Sequence, residues 1–263
     1  MKVPLGCMNR PYTRFDFEQA LRGIAGAGFT EFVLLGQQRR LLISAAASTA
    51  EADEAHQFIQ RHGLHLVMLP SSLSLKDGDD AAYEAGTRLV DHASRLKVPY
   101  LLEMGVHQLD SYERYFALMR RLAPYAQERA VTIAVKPHGG VTTTAADCLA
   151  TLRAVDHPAY RLCFDPGNLL YYANERPEAR LAELAPYTVA MCVKDETGGL
   201  RGSVDVTPGD GDVDFPTVFR ILRDHGFSGP CVVETLAARD TVEEVDNEAK
   251  RAYRYLNEVL AAL

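Results

Sequence analysis

The sequence contains no run of about 18 apolar residues, which is the length that a helix needs to cross a bilayer. Its opening segment, MKVPLGCMNRPYTRF, also lacks the continuous apolar stretch of a secretion signal. We therefore expect a cytoplasmic protein that has no membrane partner.

Closely spaced cysteine pairs are absent too. The five cysteines are scattered along the chain, at Cys7, Cys148, Cys163, Cys192 and Cys231. An odd number of isolated cysteines fits neither a disulfide framework nor a zinc ribbon. We expect free thiols in a reducing compartment.

Clusters of basic residues are scarce as well. The chain has 28 Lys and Arg against 35 Asp and Glu, which gives a formal charge of −7. Binding to a phosphate backbone needs clustered Lys and Arg, so we expect no nucleic-acid partner. An endonuclease acting on abasic DNA would also need a histidine-rich site for several metals, and this sequence has few histidines.

What the sequence does contain is a regular alternation of short apolar runs and longer amphipathic segments, which is typical of a parallel sheet with helices between its strands. The eight runs are Val3–Met8, Glu31–Leu35, Leu64–Leu69, Tyr100–Met104, Val131–Lys136, Tyr160–Asp165, Val189–Lys194 and Pro230–Glu234. Eight strand–helix units in 263 residues match the usual size of a (β/α)8, or TIM, barrel of the α/β class. No linker interrupts the pattern, so the sequence predicts a single TIM-barrel domain over residues 1–263.

Five of these strands end in ionisable residues, and the C-terminal ends of the strands are where barrel enzymes carry their active sites. The residues are Glu103 on the fourth strand, Lys136 and His138 on the fifth, Asp165 on the sixth, Lys194, Asp195 and Glu196 on the seventh, and Glu234 on the eighth. Buried charges are costly unless they are paired or bound to a metal. The sequence therefore predicts that these groups compensate one another in one site.

Five segments in the C-terminal half carry a family resemblance. They are IAVKPHGG, CFDPGNLLYY, MCVKDETG, TPGDGDVDF and VVE. In this order they resemble the xylose isomerase-like, sugar phosphate isomerase/epimerase superfamily. The resemblance implies a barrel that acts on a sugar, cyclitol or keto-sugar, with one divalent metal and no organic cofactor. The metal ligands would be a carboxylate on strand five, an aspartate on strand six, a histidine on strand seven and a glutamate on strand eight.

Asp165 and Glu234 match that ligand pattern, whereas Lys136 stands in place of the carboxylate and Cys192 in place of the histidine. Two interpretations follow. In one, Asp165, Glu234 and His138, joined by the Cys192 thiolate, hold Mn, Zn, Mg or Fe. In the other, the Lys136 ammonium takes the place of the metal, and a lowered pKa would let it act as a base or form a Schiff base. The position of His138 favours the first interpretation.

We expect an isomerase or epimerase in which Glu234 and Glu103 move a proton next to a carbonyl, while Lys136 or a metal stabilises the enediolate. Asn168, Lys194, Asp195 and Arg201 are expected to contact the substrate. One alternative is a lyase or dehydratase that performs β-elimination on a keto-sugar or keto-glycoside. Another is a catalytically silent barrel that serves as a partner subunit. We expect a neutral sugar rather than a phosphorylated one, and the resemblance suggests a homo-oligomer.

Overall fold

The computed structural model describes residues 1–36 and 43–263. Within these residues, eight parallel strands pair in sequence order and close into a barrel through β1 and β8. The strands are β1 (Leu5–Met8), β2 (Glu31–Val33), β3 (His65–Pro70), β4 (Tyr100–Glu103), β5 (Thr132–Val135), β6 (Tyr160–Phe164), β7 (Thr188–Val193) and β8 (Cys231–Val233). The predicted (β/α)8 barrel is confirmed, and each strand lies within two residues of its predicted position.

Helices follow the strands around the outside of the barrel. They are α1 (Phe17–Ala27), α2 (Thr49–Arg61), α3 (Asp79–Arg95), α4 (Tyr112–Glu128), α5 (Ala145–Val155), α6 (Pro166–Ala173), α7 (Pro177–Leu184), α8 (Phe215–Asp224) and α9 (Val242–Ala261). Thr144 and Asp214 cap α5 and α8 through their side chains, which accept hydrogen bonds from backbone N–H groups in the first turn of each helix. None of the helices in the described part of the chain is both long and apolar enough to span a membrane.

Helix α6 begins directly after β6, with no intervening loop. Asp165 caps this helix and Pro166 occupies its first turn, which suits proline because the missing N–H would have no partner there. A strand-end aspartate therefore also begins a helix.

Alternation along the strands separates two apolar layers. Residues facing the barrel interior are Met8, Val33, Met68, Leu102, Ala134, Cys163, Ala190, Cys192 and Val232. Their neighbours in sequence, such as Leu101, Val135, Phe164 and Val193, pack between the barrel and the helices. The interior side chains on β5, β6 and β7 are small, and this leaves space for longer side chains at the ends of those strands.

Candidate active site

Four buried, charged side chains meet at the C-terminal end of the barrel: Lys136, Asp165, Lys194 and Glu234. Each stands two residues beyond an interior-facing residue of its strand, so alternation directs all four inward. Lys136 Nζ lies 2.9 Å from Asp165 Oδ2 and 2.5 Å from Glu234 Oε2. Lys194 Nζ lies 2.8 Å from Glu234 Oε1 and 3.7 Å from Asp165 Oδ2.

A fifth group, Arg10, joins these four, and we call the five residues the ionic cluster. Arg10 Nη1 donates to Glu234 Oε1 at 2.9 Å from a 3-10 turn that follows β1. Arg10 was not predicted from the sequence because no apolar strand residue adjoins it. Arg10 could have been identified from its position two residues beyond the interior-facing Met8, because the other four members have the same spacing from an interior-facing residue.

Glu234 and Lys136 both keep their charges at neutral pH. Burial alone would raise the pKa of Glu234, but Lys136, Lys194 and Arg10 hold this pKa well below its usual range. Burial also opposes the charge on Lys136, yet Asp165 and Glu234 raise its pKa well above the usual value. A lysine with a raised pKa is an electrostatic group and is not a ready base or Schiff-base nucleophile.

Asn168 links the ionic cluster to the neighbouring loop. Its side-chain amide donates to the carbonyl of Pro137 at 2.7 Å, and its Oδ1 accepts from Lys194 Nζ at 3.1 Å. Its backbone N–H donates to Asp165 Oδ1 at 2.9 Å as part of the helix cap. Asp165 Oδ2, by contrast, accepts no hydrogen bond from the described residues, although it faces Lys136.

The ligand atoms of Asp165, Cys192 and Glu234 lie within 4.8 Å of one another, so this trio could hold a metal ion on distance alone. The ammonium of Lys136 contacts both carboxylates, where a shared cation would bind. Cys192 Sγ lies 3.5 Å from Cys163 Sγ, and this contact together with burial raises the pKa of the Cys192 thiol. The residues present do not fit a divalent ion while Lys136 holds this position, because three positive groups already face two carboxylates.

His138 lies beside the ionic cluster and not among the three possible metal ligands. Its ring packs 5.6 Å from the His107 ring and 5.4 Å from the Tyr172 ring, between centroids. Burial, aided by the positive charges of Lys136 and Lys194, lowers the pKa of His138 to about 3. Its Nδ1 is buried and has no hydrogen-bond partner in the described part of the chain. A neutral imidazole with a free nitrogen therefore stands next to the charged groups.

Glu103 ends β4 but lies outside the ionic cluster. The preceding Leu102 faces the barrel interior, so Glu103 faces the helix layer. Its carboxylate accepts hydrogen bonds from the Ser71 hydroxyl and from the backbone of Gly105. Burial raises the pKa of Glu103. The structure therefore does not bring Glu103 together with Glu234.

Asp195 is fully buried, and its carboxylate is occupied by the loop that follows β7. The backbone N–H groups of Gly209 and Gly211 each donate to Oδ2 at 2.9 Å. Those of Glu196 and Val213 donate to Oδ1 at 2.9 and 3.1 Å. With four donors on two oxygens, Asp195 organises this loop and has little capacity left for a substrate.

Arg201 lies at the rim of the site on the same loop. Its guanidinium carbon lies 5.2 Å from the Tyr171 ring centroid and 4.9 Å from that of Tyr172, and its backbone N–H donates to the Tyr171 carbonyl. Because Tyr172 in turn contacts His138, two side chains separate Arg201 from the ionic cluster. It borders the site without belonging to the cluster.

Comparisons with known proteins are consistent with this architecture. Residues 21–259 match the family model described as xylose isomerase-like TIM barrel. Among curated proteins, the chain is 31% identical over 158 residues to an inosose dehydratase from Erwinia tasmaniensis, which is 52% of each chain. It is 26% identical over 131 residues to an inosose dehydratase from Clostridium perfringens, which is 44% of each chain. The chain spans about half the length of the curated relatives it matches.

Solved structures agree over nearly the whole chain. A xylose isomerase-like TIM barrel protein from Mycobacterium smegmatis, in complex with magnesium, has a TM-score of 0.77 at 16% identity and covers 99% of this chain and 100% of that chain. D-allulose 3-epimerase from Methylomonas sp., in complex with D-allulose, has a TM-score of 0.75 at 17% identity and covers 98% of this chain and 97% of that chain. At such identities the likeness shows the fold.

Proposed function

The chain belongs to the xylose isomerase-like TIM barrel family, as the resemblance of its C-terminal segments predicts, and on that premise we propose that it catalyses proton abstraction next to the carbonyl of a keto-sugar or keto-cyclitol. The observation that carries the proposal is the position of Lys136 Nζ between Asp165 Oδ2 and Glu234 Oε2, at 2.9 and 2.5 Å. A fixed cation in a buried site can stabilise an oxyanion that develops on the substrate.

In this mechanism the carbon–hydrogen bond next to the carbonyl breaks, its electron pair forms a carbon–carbon double bond, and the π pair of the carbonyl moves onto its oxygen to give an enediolate. Lys136 and Lys194 supply the positive charge that stabilises this oxygen. Glu234 is the carboxylate of the ionic cluster that we assign to receive the proton. The cations at both of its oxygens fix its position, and they also lower its basicity. Returning the proton to the former carbonyl carbon, with transfer of the hydroxyl proton from one enediolate oxygen to the other, gives isomerisation. Returning a proton to the opposite face of the original carbon gives epimerisation.

His138 is the second proton-transfer group in this proposal, in the role that the sequence analysis gave to Glu103. Its imidazole is neutral, its Nδ1 is unpartnered among the described residues, and the electrostatic influence of Glu234 and Lys194 reaches it. Its loop is held firmly, since the His138 N–H donates to Thr142 Oγ1 at 3.1 Å. A free nitrogen on a rigid backbone places a proton acceptor beside the ionic cluster, and its low pKa makes it a weak base that holds a proton only transiently.

Dehydration is a second candidate because the matched curated relatives are inosose dehydratases. Dehydration and epimerisation both pass through the enediolate. They diverge afterwards, because in dehydration a hydroxide leaves from the carbon adjacent to the one that lost its proton. Since the chain spans about half the length of those relatives, their activity enters here as a proposal.

We also propose that Lys136 takes the place of the divalent metal. The alternative is a metal held by Asp165, Cys192 and Glu234, which is supported by their spacing and by the magnesium complex of the M. smegmatis barrel. Elemental analysis of the purified protein by plasma mass spectrometry separates the two. Close to one equivalent of bound divalent metal per chain would show that the metal, and not Lys136, is the shared cation of the two carboxylates.

The test of the function is hydrogen exchange from solvent. The protein is incubated in D2O with ketohexoses and with inosose, and proton NMR follows loss of the signal next to the carbonyl and the formation of epimers or dehydrated product. Glu234→Gln should abolish exchange while the fold, checked by circular dichroism, is retained. Glu196→Gln is the control, because its carboxylate contacts the Gly199 backbone and lies outside the ionic cluster. Wild-type exchange in Glu234→Gln would overturn the mechanism.

A further inference from the structure

A small pocket adjoins the ionic cluster on the side of β1 and β8. It has a volume of about 210 Å³ and is lined by Arg10, Pro11, Thr13, Arg14, Asp205 and residues 235–239. Arg10 forms part of its wall and contacts Glu234 at 2.9 Å, so the pocket and the ionic cluster share a side chain. The volume is below the roughly 300 Å³ of pockets that enclose a whole drug-sized ligand, and it suits one end of a sugar.

The pocket is rich in positive charge, although the whole chain is acidic. Arg10, Arg14 and Arg239 line it against a single carboxylate, that of Asp205. Their side chains remain 37%, 54% and 42% exposed. Arginine carries five N–H donors in a planar fork that matches carboxylate and phosphate groups. In the described part of the chain, Arg10 gives one of these donors to Glu234.

Arg239 is largely engaged, since its Nε and Nη2 donate to Glu248 Oε1 at 3.0 and 2.6 Å and its Nη1 donates to the Ala238 carbonyl at 3.3 Å. Arg14 is freer and lies 3.5 Å from the fully exposed Asp240. An exposed ion pair contributes little to stability, so Arg14 can exchange Asp240 for a ligand at small cost. The hydroxyl of Thr235 is buried in the pocket wall and has no partner among the described residues. It offers one further polar contact.

We infer that this pocket binds an anionic end of the substrate, a carboxylate or a phosphate, while the carbonyl end reaches Lys136 and Glu234. The inference rests on the proposed function and differs from the neutral sugar expected from the sequence. That expectation counted cations at the strand ends and did not include Arg10, Arg14 and Arg239, which lie on loops. The substrate class becomes keto-sugar acids or keto-sugar phosphates.

Two measurements test the subsite, and the first needs no turnover. Inorganic phosphate is titrated into the full-length protein by isothermal calorimetry, with Arg14→Gln as the variant and Arg180→Gln as the control. Arg180 is similarly exposed, at 39%, and pairs with Glu183 on α7. We expect phosphate to bind the wild type and Arg180→Gln alike, and to bind Arg14→Gln about tenfold more weakly or worse. No binding, or equal binding by all three proteins, would overturn the subsite.

The second measurement compares kcat/KM for a keto-sugar acid, a keto-sugar phosphate and the neutral parent sugar. We expect one of the anionic substrates to be preferred, and Arg14→Gln to raise its KM while the neutral sugar is unaffected. The anionic substrate with the higher kcat/KM shows whether the pocket binds a carboxylate or a phosphate. Turnover of the neutral sugar alone would overturn the subsite and leave the proposed function intact. Phosphate binding that needs Arg14, with no turnover of any substrate, would support the subsite and overturn the proposed function.

Discussion

Lys136 Nζ lies 2.9 Å from Asp165 Oδ2, and both side chains are almost fully buried, at 2% and 0% exposure. Neither charge could remain in this position alone, because removing an ion from water costs several kcal/mol. Glu234 and Lys194 extend the pair, and Arg10 connects it to the solvent-exposed side. The following predictions test this arrangement and its neighbours.

Lys136→Met should be strongly destabilising, because it keeps the approximate length of the side chain but removes the cation that lies nearest to both Asp165 and Glu234. Breaking a buried ion pair costs about 3–5 kcal/mol. Urea unfolding at neutral pH measures the free energy of unfolding, with Lys250→Met, an exposed lysine on α9, as the control. Equal stability of both variants would mean that the ionic cluster is not coupled as its distances indicate.

Lys136→Glu should create a metal site, because it restores a carboxylate beside Asp165 and Glu234 and removes the competing ammonium. We expect close to one equivalent of Mn²⁺ after dialysis, measured by plasma mass spectrometry, against little in the wild type. Lys136→Gln removes the charge without adding a carboxylate and is the matched control. One equivalent already present in the wild type would contradict the prediction.

Glu103→Gln should leave turnover near the wild-type level, because its carboxylate accepts from Ser71 and Gly105 on the outer side of the barrel wall. Glu234→Gln should reduce turnover by a factor of about 100 or more, as expected for the loss of a proton-transfer group. Steady-state kinetics with an active substrate compares the two variants. If Glu103→Gln lost as much activity as Glu234→Gln, Glu103 and not His138 would be the second proton-transfer residue.

His138 should make the folded state less stable in acid. Its folded pKa of about 3 lies below the usual value near 6.5, so between these values the unfolded chain binds more protons. The free energy of unfolding should therefore fall as the pH falls from about 6.5 towards 3, by at most about 1.4 kcal/mol per pH unit. Urea unfolding at several pH values should show a smaller slope for His138→Gln. His225→Gln, at an exposed histidine, should keep the wild-type slope.

Asp195→Asn should loosen the loop between β7 and α8, because an amide presents one acceptor oxygen where the carboxylate presents two. We expect the free energy of unfolding to fall by about 2 kcal/mol or more, since a hydrogen bond to a charged group contributes about 1.5–3 kcal/mol. Limited trypsin digestion should cleave after Arg201 faster than in the wild type. Asp205→Asn, at an exposed aspartate of the same loop, is the control. Unchanged cleavage of Asp195→Asn would show that the loop is held by other contacts.

The fold could be predicted from the sequence because each strand is a short apolar run followed by an amphipathic helical segment, and five of these runs end in ionisable residues. Four of the five members of the ionic cluster could also be found in this way, since they directly follow such runs. Glu103 was assigned to the same site because strand ends were considered without the alternation of side chains. Counting by two from Leu102 places Glu103 on the other face.

The remaining features depend on loops, where no periodic pattern constrains the chain. Nothing in the sequence indicates that Asp195 accepts four backbone N–H groups, because its partners extend as far as Val213. The same is true of Arg14 and Arg239, which line one pocket although 225 positions separate them in the chain. Long-range convergence of this kind becomes visible only in three dimensions.

The five cysteines give the protein a built-in reporter. All are free and buried, so a thiol reagent can modify the native chain only when part of it opens. Cys163 and Cys192 lie one layer beneath the ionic cluster and contact each other at 3.5 Å. The rate at which these two sulfurs are labelled therefore records how often the floor of the site becomes accessible. A ligand that stabilises the closed cluster would slow that labelling without any dye or engineered tag.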